Sequence, residues 1–570
     1  LFIPNTGASS NVTGTFAVNI GDTAGTSNTL FSSTSTQGTP ITNYDINSTN
    51  GRTTTIKTYS KNSYITKKVE NTDIQGSVGI YSYGSLDLQG HQIRIYDKTD
   101  GNVGVYSTNS GTITNSGAIT LGASTTTERS IGAVANIGTI NNTGNIVING
   151  QYGLGLYSTG AASIINNGAD ITLTGDETIG AYGAGSSNIN LNSGTITLTG
   201  NKAMGYYLGS GTGSTIASVA KIDITGNESN GVYVNTGSSL TYAGETKVIG
   251  DAAYGLIVDG SSTVNATGGK VIIGGTSGIN GSSSGANTSR GAAGLVVTSG
   301  STLSGNNLDV VADVSGENSV GVYSAGTLAI NSANVSAYDS AVNFFTNGGT
   351  LSIGNNAGIS TVLTGTGTNK GALMFYTPSG NILLNGTVNA TVQGSTDTLK
   401  RGTAFYYTGG GVLGTIGSYT QLTPANIASW ARNRFGNGGT STLGKLNLTM
   451  NQDSRLFLTE QVDVALSNTA PTNLFSTLGT TERPNITGLG SGYRTFMLYH
   501  SHLNVDNAVN LDNANDAYNL LEISSSSITN NNTIIGTQSG QIAMAQANDT
   551  VSKSVVTLTN NGTINLSGAN

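Results

Sequence analysis

A four-residue motif, Gly-aliphatic-Tyr-Ser, recurs along most of the chain and constrains the fold more than any other feature. Consecutive copies begin mostly 23 to 28 residues apart, by subtraction of their residue numbers. A period of this length is the signature of a solenoid, in which each repeat packs only on its neighbours. The clearest copies begin at Gly79, Gly104, Gly155, Gly180, Gly205, Gly231 and Gly321, and degenerate copies begin at Gly132, Gly255 and Gly294.

The second half of each repeat reads Gly-Thr-Ile-x-Asn-x-Gly-x-Ile-x-Leu, as in residues 111–121. Apolar and polar residues alternate there with period 2, which indicates short β-strands separated by Gly or Asn-Gly turns. Parallel pairing of each strand with its copy one rung above satisfies the backbone and stacks the inward Ile, Leu and Val. The sequence therefore predicts an all-β fold, a right-handed parallel β-helix with three strands per turn. Its rungs have about 25 residues, rise about 4.8 Å each, and are interrupted by irregular insertions that include a short helix.

Small polar residues occupy the predicted corners between strands. Gly and Asn tolerate the positive φ that tight corners require. The corners at 166–168 and 560–562, both Asn-Asn-Gly, are expected to stack amide on amide from rung to rung. The tyrosines of the motif form a column that Val134, Ile257 and Val296 also occupy. We therefore expect a packing role for this column rather than an exposed binding ladder.

Composition agrees with a solenoid that has a thin core. Hydrophobic residues are 36 % and charged residues 9 %, against about 25 % charged residues in ordinary soluble domains. Because cysteine is absent, the chain has neither a disulfide scaffold nor a thiolate metal site, and we expect no metal and no cofactor. The net charge of −7 argues against a nucleic-acid partner. No apolar stretch is long enough to span a bilayer.

Departures from the repeat divide the chain into four predicted parts. Residues 1–75 are irregular, 76–404 form the regular β-helix, 405–440 are an inserted loop and helix, and 441–570 continue the β-helix less regularly. The first part contains a basic patch with two interpretations, a site for sugars or acidic groups and a solvated strand edge. The patch consists of Arg52, Lys57, Lys61, Lys67 and Lys68.

The insertion at 405–440 has the start and stop signals of a helix. Thr423 can cap it, Pro424 suits its first turn, and Gly436 can end it. It carries the only tryptophan, and Trp and Arg are the residues most enriched at binding hot spots. We predict a ligand-binding group here; the alternative is that Trp430 only pins a decorating helix to the solenoid. The predicted group is Tyr406, Tyr407, Trp430, Arg432, Arg434 and Phe435.

Catalytic residues are not evident in the sequence. β-Helix enzymes that cleave acidic polysaccharides need clustered carboxylates for Ca²⁺ with a basic partner, or a carboxylate pair at a set separation. Two carboxylate pairs are candidates, without a basic partner one period away. They are Asp97 with Asp100 and Asp309 with Asp313. His500 and His502 fall on one face of a predicted strand, as a weak metal or acid–base pair or as solvated polar residues. We therefore expect a protein that is not an enzyme.

The repeat Gly-Val-Tyr-Ser-x-x-Ser-Gly-Thr-Ile-x-Asn-x-Gly-x-Ile-x-Leu resembles passenger domains of very large type V autotransporter adhesins, especially fusobacterial ones. The resemblance covers residues 76–400 well and 440–570 loosely, while 1–75 and 405–440 depart from it. It implies a longer chain, with a signal peptide before this segment. It also implies a C-terminal outer-membrane β-barrel after it, which would be its only membrane contact. No binding motif of the family carries over to individual residues here.

The resemblance implies an extracellular adhesin on the bacterial outer-membrane surface. Such adhesins attach bacteria to host-cell proteins or glycans, or to other bacteria. Abundant hydroxyl and amide groups favour hydrogen-bonded contacts that gain strength from multivalent display. One alternative is a structural stalk that presents a binding tip elsewhere, and a second is a β-helix enzyme that degrades polysaccharides.

Overall fold

The computed structural model confirms the predicted fold class, a mostly parallel β-solenoid with one short helix. It describes residues 78–82, 86–88, 90, 92–95, 101–122, 129–211, 213–274, 292–354, 357–362, 371–396, 400–408, 420–436, 445–465, 475, 478–479, 482–488, 494–506, 508–511, 522–524, 526–537, 543–546 and 556–567, and before these only the backbone of six short strands. The basic patch at 52–68 and the pair at 97 and 100 therefore lie outside the described side chains. Among the described residues, no helix is long and apolar enough to cross a membrane.

The strands are short, and the only helix of the described residues falls in the predicted insertion. In chain order the elements begin with β1 (Phe2–Ile3), β2 (Ser10–Asn11), β3 (Val18–Ile20), β4 (Asp45–Asn47), β5 (Thr53–Thr55), β6 (Ile65–Lys67), β7 (Val78–Ser82), β8 (Leu86–Asp87), β9 (Ile93–Ile95), β10 (Val103–Thr108), β11 (Thr112–Asn115), β12 (Ile119–Leu121), β13 (Ile131–Asn136), β14 (Thr139–Asn142), β15 (Ile146–Ile148), β16 (Leu154–Thr159), β17 (Ile164–Asn167), β18 (Ile171–Leu173), β19 (Ile179–Gly183), β20 (Asn188–Leu191), β21 (Thr195–Leu198), β22 (Met204–Leu208), β23 (Ser214–Ile216), β24 (Lys221–Ile224), β25 (Asn230–Val234), β26 (Ser239–Tyr242), β27 (Glu245–Val248), β28 (Tyr254–Val258), β29 (Thr263–Ala266) and β30 (Lys270–Ile273). They continue with β31 (Ala293–Val297), β32 (Thr302–Ser304), β33 (Asp309–Ser315), β34 (Val320–Ser324), β35 (Thr327–Ile330), β36 (Ser332–Tyr338), β37 (Val342–Thr346), β38 (Thr350–Ile353), β39 (Ala357–Val362), β40 (Leu373–Tyr376), β41 (Asn381–Leu384), β42 (Val388–Val392), β43 (Thr403–Thr408), β44 (Thr420–Leu422), α1 (Pro424–Phe435), β45 (Leu446–Met450), β46 (Arg455–Glu460), β47 (Val462–Ala465), β48 (Asn485–Gly488), β49 (Arg494–Tyr499), β50 (His502–Val505), β51 (Val509–Asn510), β52 (Glu522–Ser524), β53 (Ser527–Asn530), β54 (Thr533–Gly536), β55 (Ala545–Gln546), β56 (Thr557–Asn560) and β57 (Thr563–Leu566).

The chain forms two compact units. Unit 1 comprises Leu1–Ile272 with Gly300–Gly305, and unit 2 comprises Ile273–Ser299 with Asn306–Asn570. The division into four parts made from the repeat stays a prediction.

Unit 1 contains three parallel sheets that successive strands join in turn. Sheet A1 contains β1, β7, β10, β13, β16, β19, β22, β25 and β28; sheet B1 contains β2, β8, β11, β14, β17, β20, β23, β26, β29 and β32; sheet C1 contains β6, β3, β9, β12, β15, β18, β21, β24 and β27. Identical residues stack in register along the core, as Ile119, Ile146, Ile171 and Ile196 do in sheet C1. All four are at most 2 % exposed, which gives each rung the same narrow core.

The glycine that opens the repeated motif is required for space. It lies inside a strand of sheet A1, beside the strand of the next rung and the isoleucine of sheet C1. A Cβ on Gly155 would lie 2.4 Å from the carbonyl oxygen of Gly180 and 2.7 Å from Cγ2 of Ile171. Real Cβ contacts are essentially never this short, so a larger residue would force sheets A1 and C1 apart.

Gly and Asn occupy many of the corners with positive φ, and other residues occupy the rest. Glu177, Lys202 and Glu228 have φ between 54° and 56°. The Lys202 amide donates to the Asn227 carbonyl of the next rung at 2.7 Å. Such rung-to-rung bonds offset a left-handed conformation that costs roughly 1–2 kcal/mol.

The predicted amide ladders are confirmed. Inside unit 1, Asn115 Nδ2 donates to Asn142 Oδ1 and Asn142 Nδ2 donates to Asn167 Oδ1, both at 2.7 Å. These three side chains are buried. In unit 2, Asn530 Nδ2 likewise donates to Asn560 Oδ1 at 2.7 Å. The ladder thus pairs buried amides of neighbouring rungs, and among the buried ladder atoms that the structure describes only Asn115 Oδ1, at its start, is left without a hydrogen-bond donor.

In unit 2 the later strands form two additional sheets instead of extending all three of the earlier ones. Sheet A2 contains β31, β34, β37, β40, β43, β46, β49, β52 and β55; sheet B2 contains β35, β38 and β41; sheet C2 contains β33, β36, β39, β42, β45 and β48. Sheet D2, formed by β44, β47, β50, β53 and β56, and sheet E2, formed by β51, β54 and β57, contain the later strands. Helix α1 contacts β41, the last strand of sheet B2, and covers a strand edge that would otherwise present unpaired backbone groups.

Candidate functional site

Helix α1 begins and ends where the sequence predicts. The Thr423 hydroxyl accepts a hydrogen bond from the Asn426 amide at 3.2 Å, and Pro424 lies in the first turn. The Gly436 amide donates to the Arg432 carbonyl at 3.1 Å. Gly436 has a φ of −131°, which is extended rather than left-handed, so the chain leaves the helix in an extended conformation.

Two aromatic side chains of the helix pack on a stack of phenylalanines inside unit 2. The stack is Phe344, Phe375, Phe405, Phe457 and Phe496, all 0 % exposed, with successive ring centroids 5.5–5.8 Å apart. Trp430 meets the Phe405 ring edge-on at 5.6 Å, and Phe435 meets it at 5.5 Å. These contacts anchor the helix to the core.

One face of the helix is buried. It consists of Ile427, Ala428, Ala431 and Phe435. Trp430 and Arg434 are only half-buried and lie at its margins. Phe435 is fully buried and therefore cannot touch a ligand unless the helix moves.

Both arginines of the predicted group bond to neighbouring parts of unit 2. Arg432 forms an ion pair with Glu482 at 3.2 Å. The Gly479 amide donates to the same Glu482 carboxylate at 2.8 Å, and this bond followed by the Arg432 contact lowers the Glu482 pKa. Arg434 donates to the Pro378 carbonyl at 3.1 Å. The two guanidinium groups thus fix the helix at both sides, and their role in ligand binding stays a prediction.

Tyr406 and Tyr407, neighbours in sequence, belong to different surroundings. Tyr407 contacts Trp430 with centroids 5.6 Å apart. Tyr406 lies in the outer aromatic column of sheet A2, which consists of Tyr323, Phe345, Tyr376 and Tyr406. The predicted group is therefore divided between the helix and this column.

The outer aromatic columns pack ring against ring, as expected, but they are half-buried on the outside and not in the core. In sheet A2 the centroid distances are 5.1, 4.6 and 4.7 Å. In sheet A1, Tyr157, Tyr182, Tyr207 and Tyr233 form the matching column at 5.6, 4.8 and 5.5 Å. Three of these pairs are stacked and three are tilted or edge-on, so neighbouring rings cover much of each other's surface.

A buried carboxylate lies at the end of the sheet A2 column. Glu460 is 9 % exposed and accepts a hydrogen bond from the Tyr406 hydroxyl. His500 Nδ1 lies 4.0 Å from its other oxygen. Burial first, and the Glu460 hydrogen bond second, raise the pKa of Tyr406, so its hydroxyl remains a donor. Phenol and carboxylate form a hydrogen-bonded pair with an imidazole nearby, a group that sequence reasoning did not identify.

The remaining sequence candidates do not converge. His500 lies at the bend after β49 with a φ of 44°, whereas His502 lies within β50. The Asp309 carboxylate accepts hydrogen bonds from Asn331 and Ser332, both at 2.7 Å. Burial raises the pKa of Asp313. Within the part of the chain that the structure describes, no group of three His, Cys, Asp or Glu side chains is arranged to hold a metal ion.

Comparison with known proteins adds no relative to these observations. No protein-family model, no curated protein and no solved structure matches the chain.

Proposed function

We propose that the chain is a segment of a bacterial adhesin, displayed outside the outer membrane by type V secretion. It binds glycans or proteins of host cells, or other bacteria, and does not catalyse a reaction. The resemblance of its repeat to autotransporter passenger domains supports this class. The solenoid fold agrees with it but suits a stalk or an enzyme equally well.

The observation that carries the proposal is the outer aromatic column of sheet A2 with Glu460 at its end. The hydroxyls of Tyr376 and Tyr406 lie on rings whose centroids are 4.7 Å apart, and the Glu460 carboxylate adds an acceptor beside Tyr406. Sugars present hydroxyl groups along a chain, so these two phenols and the carboxylate suit a glycan bound at this end of the column. Many weak contacts of this kind gain affinity through multivalent display.

The neighbouring tyrosines provide a matched test, because each loses only a hydroxyl when replaced by phenylalanine. Binding of the purified chain to glycan arrays and to epithelial cells is measured for Tyr406→Phe, Glu460→Gln and Tyr407→Phe. We expect the first two to weaken binding at least about 10-fold, since a hydrogen bond to a charged group contributes about 1.5–3 kcal/mol. Tyr407→Phe is expected to bind like the unaltered chain.

Other results lead to the alternatives. Loss of binding only with Tyr407→Phe, or with deletion of residues 424–435, would place recognition on the helix. An unaltered chain that binds neither glycans nor cells would favour a structural stalk. New unsaturated ends on an acidic polysaccharide incubated with calcium and the chain would show an enzyme and overturn the proposal.

A further inference from the structure

The outer face of sheet A1 is largely apolar. Its polar groups include Asn230, in register with Met204, and a carboxylate at its margin, Asp259, which accepts a hydrogen bond from Tyr233 at 3.0 Å. Besides its tyrosine column the face carries an aliphatic column in register, Val103, Ile131, Leu154, Ile179 and Met204. These side chains are half-buried in the chain alone. The six strands β10, β13, β16, β19, β22 and β25 contain no Asp, Glu, Lys or Arg.

The outer faces of the other two sheets of unit 1 are polar. Sheet B1 presents an amide ladder in which Asn166 donates to Asn141 at 2.9 Å. Sheet C1 presents charged residues, among them Lys221 and Glu245, which form an ion pair across rungs at 3.7 Å. A charge-depleted face rich in Tyr with Met is the composition of interface cores, and apolar patches of this extent mark interaction sites.

We propose that this face binds the same face of a second copy of the chain. Its side-chain columns repeat at the rung spacing, about 4.8 Å. A second copy is the same chain, so its columns have the same spacing and can interdigitate with them. A two-fold axis in the plane of the sheet places the face on itself and closes the pair. Because the six strands carry no charged residue, two chains of net charge −7 meet there with like charge confined to the margin, at Asp259.

The size of the face predicts a weak pair. Six rungs and strands about 17 Å long give about 500 Å² on each copy, and thus about 1,000 Å² in total. Stable specific interfaces bury about 1,200–2,000 Å². The pair therefore forms at high local concentration, as on a surface that displays many copies. This inference does not rest on the proposed ligand of sheet A2, because it concerns the purified chain alone.

Two isoleucines on adjacent turns of unit 1 allow a matched test. Ile179 lies on the outer face of sheet A1 and Ile164 on the outer face of sheet B1, and both are half-buried. Sedimentation equilibrium of the purified chain is measured from micromolar to millimolar concentration, for the unaltered chain, Ile179→Lys and Ile164→Lys. Circular dichroism checks that the variants keep the fold, and Leu154→Gln provides a second change on the same face without a charge.

We expect the average mass of the unaltered chain to rise towards that of a dimer, and to do so equally at high salt because no ion pair is involved. Ile179→Lys and Leu154→Gln are expected to weaken the association at least about 10-fold, and Ile164→Lys to leave it unchanged. A chain that stays monomeric at millimolar concentration would overturn the inference. So would equal effects of the two lysine variants, or an association that disappears in high salt.

Discussion

Replacement of Phe405 by alanine tests the packing of the helix most directly. Phe405 is fully buried and contacts five aromatic rings at 5.5–6.4 Å. A buried Phe→Ala change costs about 3–5 kcal/mol, and each ring pair contributes about 0.5–1.5 kcal/mol beyond its area. We therefore expect a loss near 5 kcal/mol for the part of unit 2 that holds α1.

Phe344 is the matched control, because it is equally buried and lies in the same stack. Its ring is paired with Phe375 at 5.8 Å, and Trp430 contacts Phe405 instead. The expected loss for Phe344→Ala is near the lower limit, about 3 kcal/mol. Its effect at the helix is smaller still, since repeats in a solenoid act mainly on their neighbours.

Fluorescence of Trp430, the only tryptophan, reports the helix without contributions from the other turns. Guanidinium unfolding followed by this signal is expected to shift strongly for Phe405→Ala and weakly for Phe344→Ala. Folded Phe405→Ala is also expected to emit at longer wavelength, because Trp430 loses a ring contact. Equal shifts in the two variants would refute the reasoning, since they would mean that the stack transmits the loss regardless of distance.

Three further predictions concern single contacts. Asn142→Ala breaks a buried amide ladder and is expected to cost about 1–3 kcal/mol, measured by thermal unfolding followed by circular dichroism. Gly155→Ala forces a Cβ to within 2.4 Å of a carbonyl oxygen and is expected to lower the same transition, whereas Gly168→Ala, whose nearest neighbour is at 3.4 Å, is expected to change it little. The pKa of Glu482 is lowered in the fold, so its stabilisation is present above the ordinary glutamate pKa and is lost as the pH falls through the lowered value. Trp430 fluorescence is expected to follow this loss, and Glu482→Gln to abolish it.

The solenoid was predictable because its period is explicit in the sequence. Each turn repeats the same inward residues, so pairing one copy with the next determines the register, as for Ile119 and Ile146. The amide ladder followed from the Asn-Asn-Gly corners by the same reasoning. Helix α1 was predictable because Thr423 and Pro424 are local signals that need no tertiary information.

The structural roles of the glycines were only partly predictable from the sequence. Corner residues such as Lys202 adopt positive φ because hydrogen bonds to the next rung hold them there. The intrinsic turn preference of a residue does not include hydrogen bonds to another rung. The motif glycines recur from turn to turn because a side chain would collide with the neighbouring sheet. This requirement could be recognised only from the structure, which places an isoleucine of that sheet beside most of these glycines.

The group around Glu460 could not be found from the sequence. Tyr406 and Glu460 are 54 residues apart, and the insertion with helix α1 falls between them. The repeat spacing is lost across that interval, so the register of β43 with β46 could not be derived by counting. The burial of Phe435 could not be derived for a related reason, because the phenylalanine stack that it contacts is built from five strands of successive turns.

The covered edge at β41 has a consequence for how such a chain changes length over generations. Within residues 129–272 every turn resembles the next, so unequal recombination can add or remove one whole turn and leave the flanking contacts intact. A crossover between β41 and β45 would delete the helix and leave the last strand of sheet B2 open to pairing with another chain. Length variation is therefore expected to accumulate in unit 1, while the segment that contains α1 is inherited as a single block.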